Sequence, residues 1–98
     1  MAPHNVPLHV SSRVFTGHDR LMGLIDHELE RTEAEHEVRG CDVTLTGDEK
    51  RGFRAAVSIE LDGGRCICKS VSSFDVGHAI AQAFVACRAR AAQEYSAD

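Results

Sequence analysis

The sequence has no tryptophan, one tyrosine and four phenylalanines. A single-strand nucleic-acid binder built on rows of aromatic platforms is therefore not expected. Apolar runs extend over only a few residues, so no segment has the length to cross a bilayer. The opening stretch Met1-Ala2-Pro3-His4-Asn5-Val6-Pro7 holds neither a basic nor an apolar block and does not read as an export signal. A cytoplasmic location is the expectation, with Cys41, Cys66, Cys68 and Cys87 as thiols or metal ligands rather than disulfides. Positive charge is the minority sign: 11 Lys and Arg stand against 15 Asp and Glu, a formal net charge of −4. That speaks against broad, nonspecific nucleic-acid binding unless the cations gather on one side. Internal repeats and low-complexity tracts are absent too.

What is present is an ordinary globular composition, 43% apolar and 27% charged over 98 residues. A chain of this size buries roughly two-thirds of its extended surface, enough for one core. A single domain over 1–98 is expected, with a structured core from about 6 to 95.

Val6 to Phe15 reads as a strand, because Leu8, Val10 and Val14 alternate with His9, Ser11 and Arg13. Pro7 restricts it to an edge or a strand start. Thr16 to Glu37 reads as a helix capped by Thr16, with an apolar stripe of Leu21, Leu24, Ile25 and Leu29. Its acids, Asp26, Glu28, Glu30, Glu33, Glu35 and Glu37, are expected to form a solvated face. Cys41 to Thr46 and Phe53 to Leu61 alternate strictly and read as strands joined by the polar turn Gly47 to Gly52.

Asp62-Gly63-Gly64 signals a hairpin. A two-residue loop at Gly63-Gly64 pairs Leu61 with Cys66; one at Asp62-Gly63 pairs Ile59 with Cys66. Either register puts Cys66 and Cys68 on the Leu61/Ile59 face, and Arg65, Ile67 and Lys69 on the other. A second helix follows, capped by Ser72 or Ser73, with Asp75 in its first turn. Ile80, Ala83, Phe84, Cys87 and Ala91 line its buried side. The order β-α-β-β-β-α implies an α+β two-layer sandwich: a four-stranded, mainly antiparallel sheet with both helices on one face. The open face would carry Asp42, Thr44, Thr46, Arg54, Ser58, Glu60, Arg65 and Lys69.

Candidate chemistry is sparse. Cys66-x-Cys68 could share a metal, with Cys41, Cys87 and His78 completing it. All four cysteines fall on expected core faces, however, where a thiol packs as a small hydrophobe. No metal site and no cofactor are expected, and a metal-responsive domain is the weakest reading. The histidines show no paired ligand spacing, and no nucleophile elbow, phosphate loop or dinucleotide fingerprint occurs. Neither an enzyme nor a small-molecule substrate is expected. The cations offer more. Lys50, Arg51 and Arg54 surround the turn into the long strand, Arg88 and Arg90 lie near the end of the second helix, and Arg13 and Lys69 lie on strands. If the turn and the helix end converge, these residues form a phosphate-binding patch; otherwise they are scattered solubilising charge.

The element order and several strings resemble the ribosome hibernation-promoting factor / protein Y family. Leu21-Met22-Gly23-Leu24-Ile25-Asp26-His27-Glu28-Leu29-Glu30-Arg31 follows the spacing of the family's first helix. Ala56 to Cys66 looks like its strand–hairpin–strand, and Asp75-Val76-Gly77-His78-Ala79-Ile80-Ala81 like the opening of its second helix. The pattern departs at Gly77, Ala81 and Glu28, while the basic position at Arg31 persists. The resemblance implies a non-catalytic protein that binds the small ribosomal subunit through rRNA. In stressed or stationary cells it would occlude the messenger and transfer RNA channel and pause translation. Ending at Asp98, the chain resembles the short family form. The RNA-binding residues expected on this view are Lys50, Arg51, Arg54, Arg88 and Arg90, with Arg13, Arg31 and Lys69 secondary. The alternative is a protein-interaction or homodimerisation module of the same fold.

Overall fold

The computed structural model describes residues 6–13 and 18–96, the side chains of 18 and 94–96 excepted. Six elements follow in chain order: β1 (Leu8–Ser12), α1 (His18–Glu35), β2 (Val38–Asp48), β3 (Gly52–Leu61), β4 (Cys66–Ser73) and α2 (Val76–Ser96). The strands form one sheet in the order β1-β2-β3-β4. β1 runs parallel to β2, and the other two pairings are antiparallel. This is the expected mainly antiparallel sheet, with α1 as the crossover between its two parallel strands. Val14, Phe15 and the Thr16 cap lie outside the described residues, as does His4.

The alternation in β2 and β3 is obeyed. Cys41, Val43 and Leu45 face Ile59, Val57 and Ala55 across the ladder, and all six are buried. Above them lie Leu21, Ile25 and Leu29 of α1 and Ala79, Ile80, Ala83, Phe84, Cys87 and Ala91 of α2, in one continuous core. Small alanines on α2 allow its backbone to approach the sheet closely. Pro7 sits just before β1, which is an edge strand, and its carbonyl accepts from the Cys41 N–H at 3.0 Å. α2 is capped by Asp75 rather than by Ser72 or Ser73. Asp75 Oδ1 accepts from the His78 N–H at 3.1 Å, the third residue of the helix, while Ser73 Oγ accepts from the Asp75 N–H.

The hairpin between β3 and β4 corrects the expected facing of β4. Its loop has three residues, not two. The Leu61 N–H reaches the Arg65 carbonyl at 2.7 Å, and Gly63 and Gly64 take φ of 89° and 82°. One extra loop residue shifts the pairing by one and turns every β4 side chain over. Ile67 therefore pairs with Ile59 and is buried. Cys66 and Cys68 pair with Glu60 and Ser58 and are exposed on the open face. Arg65 and Lys69 fall in phase with Ile67, on the helix-covered side of β4, instead of on the open face.

The acidic helix face is also not wholly solvated. Glu28 of α1 is buried, and so is Thr32 one turn on, whose Oγ1 donates to the Glu28 carbonyl at 2.9 Å. Glu28 sits there because Arg88 of α2 meets it.

Candidate nucleic-acid interface

The eight candidate cations fall into three places. Arg88 lies between the helices: its Nη1 is 2.9 Å from Glu28 Oε1 and 3.3 Å from Thr32 Oγ1, and its Nε is 3.7 Å from Glu35 Oε2. The side chain is only 11% exposed. This arginine joins α2 to α1 and is already neutralised by acids. Arg31 sits 4.0 Å from the same Glu28, at the outer rim of that contact. Arg90 is exposed on the next stretch of α2.

The remaining cations lie elsewhere. α2 starts beside the end of β4, and Cys87 packs over the middle of β3, its Sγ 3.7 Å from the Val57 carbonyl. The β2–β3 turn lies at the end of the sheet where α2 begins. The helix arginines therefore point away from Lys50 and Arg51, and the convergence on which a joint patch depended does not occur. Lys69 is exposed but on the helix side of β4.

A smaller group does come together. On the open face the ladder aligns Thr46, Arg54 and Ser72 in one row, and Arg13, just past β1, continues that row by alternation. The Arg13 N–H donates to the Leu45 carbonyl at 3.0 Å, which holds it beside Thr46. Arg54 lies across to β4, donating to Ser70 Oγ from Nε at 3.2 Å and Nη2 at 2.9 Å. Both bonds go to one hydroxyl, leaving the other N–H donors of the guanidinium for a ligand. Lys50 and Arg51 occupy the adjoining turn. Its shape comes from Asp48, whose Oδ1 accepts from the Lys50 and Arg51 N–H groups at 3.0 and 2.7 Å. Among the described residues, no ion pair engages Arg13, Lys50, Arg51 or Arg54. Asp48 and Glu49 share this end, but the Asp48 carboxylate faces backbone donors.

Sequence reasoning missed the aromatic member of this group. Phe74 follows β4 and is 75% exposed. It lies over Gly52, its ring carbons 3.6 Å from where a Cβ there would stand. The ring thus sits in ordinary contact with position 52, where a φ of 93° favours glycine, at the basic end of the sheet. The available signal was an aromatic directly before a helix cap, outside every apolar stripe. An exposed ring beside guanidinium and ammonium groups can stack a base while the cations meet its phosphates.

The opposite end is acidic and closed on itself. Asp42 and Glu60 lie on the open face, and Arg39, an extra residue in the β2 bulge, pairs with Asp62 at 2.6 Å. Hydrogen bonding and charge from Asp62 raise the Arg39 pKa above its usual value. Burial dominates the interior thiols: it pushes Cys41 up to about 12 and Cys87 up to about 11. They stay protonated and act as packing. Among the described residues no group of three or more His, Cys, Asp or Glu could hold a metal ion. No helix there is long and apolar enough to cross a membrane.

These features define an α+β two-layer domain whose uncovered sheet face has a basic, aromatic-bearing end. The same fold is found in the N-terminal domain of protein Y from Thermus thermophilus, with a TM-score of 0.72 and 19% identity, covering 89% of this chain and 94% of that one. It is found again in a ribosomal subunit interface protein from Coxiella burnetii, with a TM-score of 0.77 and 14% identity, covering 95% of this chain and all of the other. No family model matches the chain, and no curated protein sequence does.

Proposed function

We propose that the protein is a ribosome-associated translation inhibitor. It binds rRNA of the small subunit and occludes the messenger and transfer RNA channel under stress. The observation that carries this reading is the meeting of Arg13, Lys50, Arg51, Arg54 and Phe74 at one end of the open sheet face, on a fold shared with a ribosomal subunit interface protein. The cations supply affinity for phosphates, and the ring supplies a stacking surface. Nothing in the mechanism requires a bond to be made or broken; a body of this size lying in the channel excludes the other RNAs.

The four cations set the expected salt dependence. Each neutralised phosphate adds about 0.7–0.9 to the slope of log affinity against log salt. Four of them give a loss of about 50- to 150-fold between 50 and 200 mM salt. The test is co-sedimentation with purified small subunits across that range, using the protein and the variant K50E/R51E/R54E. Salt-sensitive pelleting that the variant loses supports the proposal. Protein left in the supernatant at every salt overturns it and favours the alternative module for protein interaction or homodimerisation. Competition with messenger and initiator transfer RNA on the same subunits tests occlusion separately.

A further inference from the structure

Cys66 and Cys68 play no part in the core or in the basic end of the sheet. Both are free thiols, exposed on the open face of the edge strand β4. Their sulfurs converge on one atom: Ser58 Oγ lies 3.3 Å from Cys66 Sγ and 3.2 Å from Cys68 Sγ. They therefore stand no further apart than the sum of those distances, about 6.5 Å. Cys68 also borders a shallow concavity of about 310 Å³, lined with it by Ser58, Ser70, Asp42 and Arg54 among others.

We propose that Cys66 and Cys68 form a two-thiolate site for a soft metal ion of low coordination number, of the copper(I) class. Thiolates select such ions. Taking the zinc–thiolate bond of about 2.3 Å as an upper guide, a two-coordinate ion needs sulfurs no more than about 4.6 Å apart. Rotation about χ1 of two exposed side chains supplies that approach. Zinc prefers four ligands, and no third donor group joins the pair among the described residues. A disulfide competes poorly, because same-face neighbours on a strand have Cα atoms about 6.6 Å apart, at the upper limit for a bridge. On binding, each thiol releases its proton to solvent and the ion gains two sulfur ligands; no electron moves. The bound group carries one net negative charge, and Arg54 in the same concavity offsets it. Cys41 and Cys87, buried and held protonated, do not compete.

The test uses the reduced protein without oxygen, titrated with copper(I) against a chromogenic copper(I) chelator. The expected result is one copper(I) per chain, release of about two protons, and loss of binding in Cys66→Ser and in Cys68→Ser with unchanged circular dichroism. Full copper uptake by the double variant overturns the proposal. So does one-to-one zinc uptake matching copper in affinity, which needs further donors, or half an equivalent bound with pairing of chains, which makes the site intermolecular.

Discussion

Removing Arg88 should loosen the contact between the two helices and destabilise the fold. Its Nη1 is the close partner of a Glu28 carboxylate only 7% exposed, and it also approaches the Glu28 carbonyl and Thr32 Oγ1. In Arg88→Met the methylene stem is largely kept and the charge is lost. Glu28 then retains Arg31 at 4.0 Å, a solvent-facing residue that gives little compensation. Leaving one partner of a buried pair behind costs about 3–5 kcal/mol; with residual exposure at both side chains, the lower end applies, about 3 kcal/mol. That is a large share of the 5–15 kcal/mol typical of a domain. With a urea slope near 2 kcal/mol/M, the unfolding midpoint falls by about 1.5 M. The double variant Glu28→Leu with Arg88→Met removes both charges and should recover most of the loss, because a hydrophobic pair can replace a buried ion pair at little cost. Urea titration of the two single variants and the double completes a thermodynamic cycle. Losses that simply add would refute the pairing argument. An R88M variant of full stability that no longer binds subunits would show instead that Arg88 is a phosphate ligand.

Five further outcomes follow from the same geometry. Phe74→Ala should weaken RNA binding by about 1–3 kcal/mol without changing the salt slope, whereas Lys50→Ala should lower the slope by about 0.7–0.9; fluorescence titration at several salt concentrations separates the two. Gly47→Ala should cost about 2–3 kcal/mol in chemical denaturation, since φ is 108° and a Cβ would stand 2.8 Å from the Phe53 Cα. Gly63→Ala, with open space around it, should cost only about 1 kcal/mol. Stability should hold below pH 9, the usual thiol value, then fall as pH rises, because the unfolded chain ionises first while Cys41 and Cys87 stay protonated up to about 12 and 11. The expected slope is about 1.4 kcal/mol per pH unit for each thiol, and Cys41→Ala, compared by urea midpoints from pH 8 to 11, should lose its share.

The architecture was legible because its signals were local. Strict alternation from Phe53 to Leu61 and the helical spacing of Ile80, Ala83, Phe84, Cys87 and Ala91 each specify an element and its inward face without knowledge of any neighbour. The facing of β4 was not legible. It depends on one hydrogen-bonded closure, Leu61 to Arg65, and two glycines accommodate a three-residue loop as readily as a two-residue one. The apolar residue within β4, Ile67, was the better guide, since a lone isoleucine between two cysteines more readily takes the buried side. Glu28 was misread for a related reason. On its own helix it is one acid among six, and only Arg88, 60 residues away, makes its burial affordable.

The surplus of acid does not decide whether this domain meets RNA; where the acid lies does. Asp19, Asp26, Glu30, Glu33 and Glu35 are carried by α1, on the side of the sheet away from its open face. Glu28 is paired with Arg88 and Asp62 with Arg39, while Asp48 and Glu49 are the acids of the basic end itself, Asp48 turned toward the backbone N–H groups of its own turn. A phosphate approaching the β2–β3 end of the open face meets Arg13, Lys50, Arg51 and Arg54 first, while salt screens charges more than about 8–10 Å away. A net charge of −4 and a local cationic surface are thus compatible. The separation also predicts which change matters. Reversing Glu30 or Glu33 to lysine on α1 should leave subunit binding at physiological salt within about twofold, while the same change of sign at Arg54 should abolish the salt-sensitive part. Equal effects from both faces would mean that net charge, not the placement of these four cations, governs the encounter.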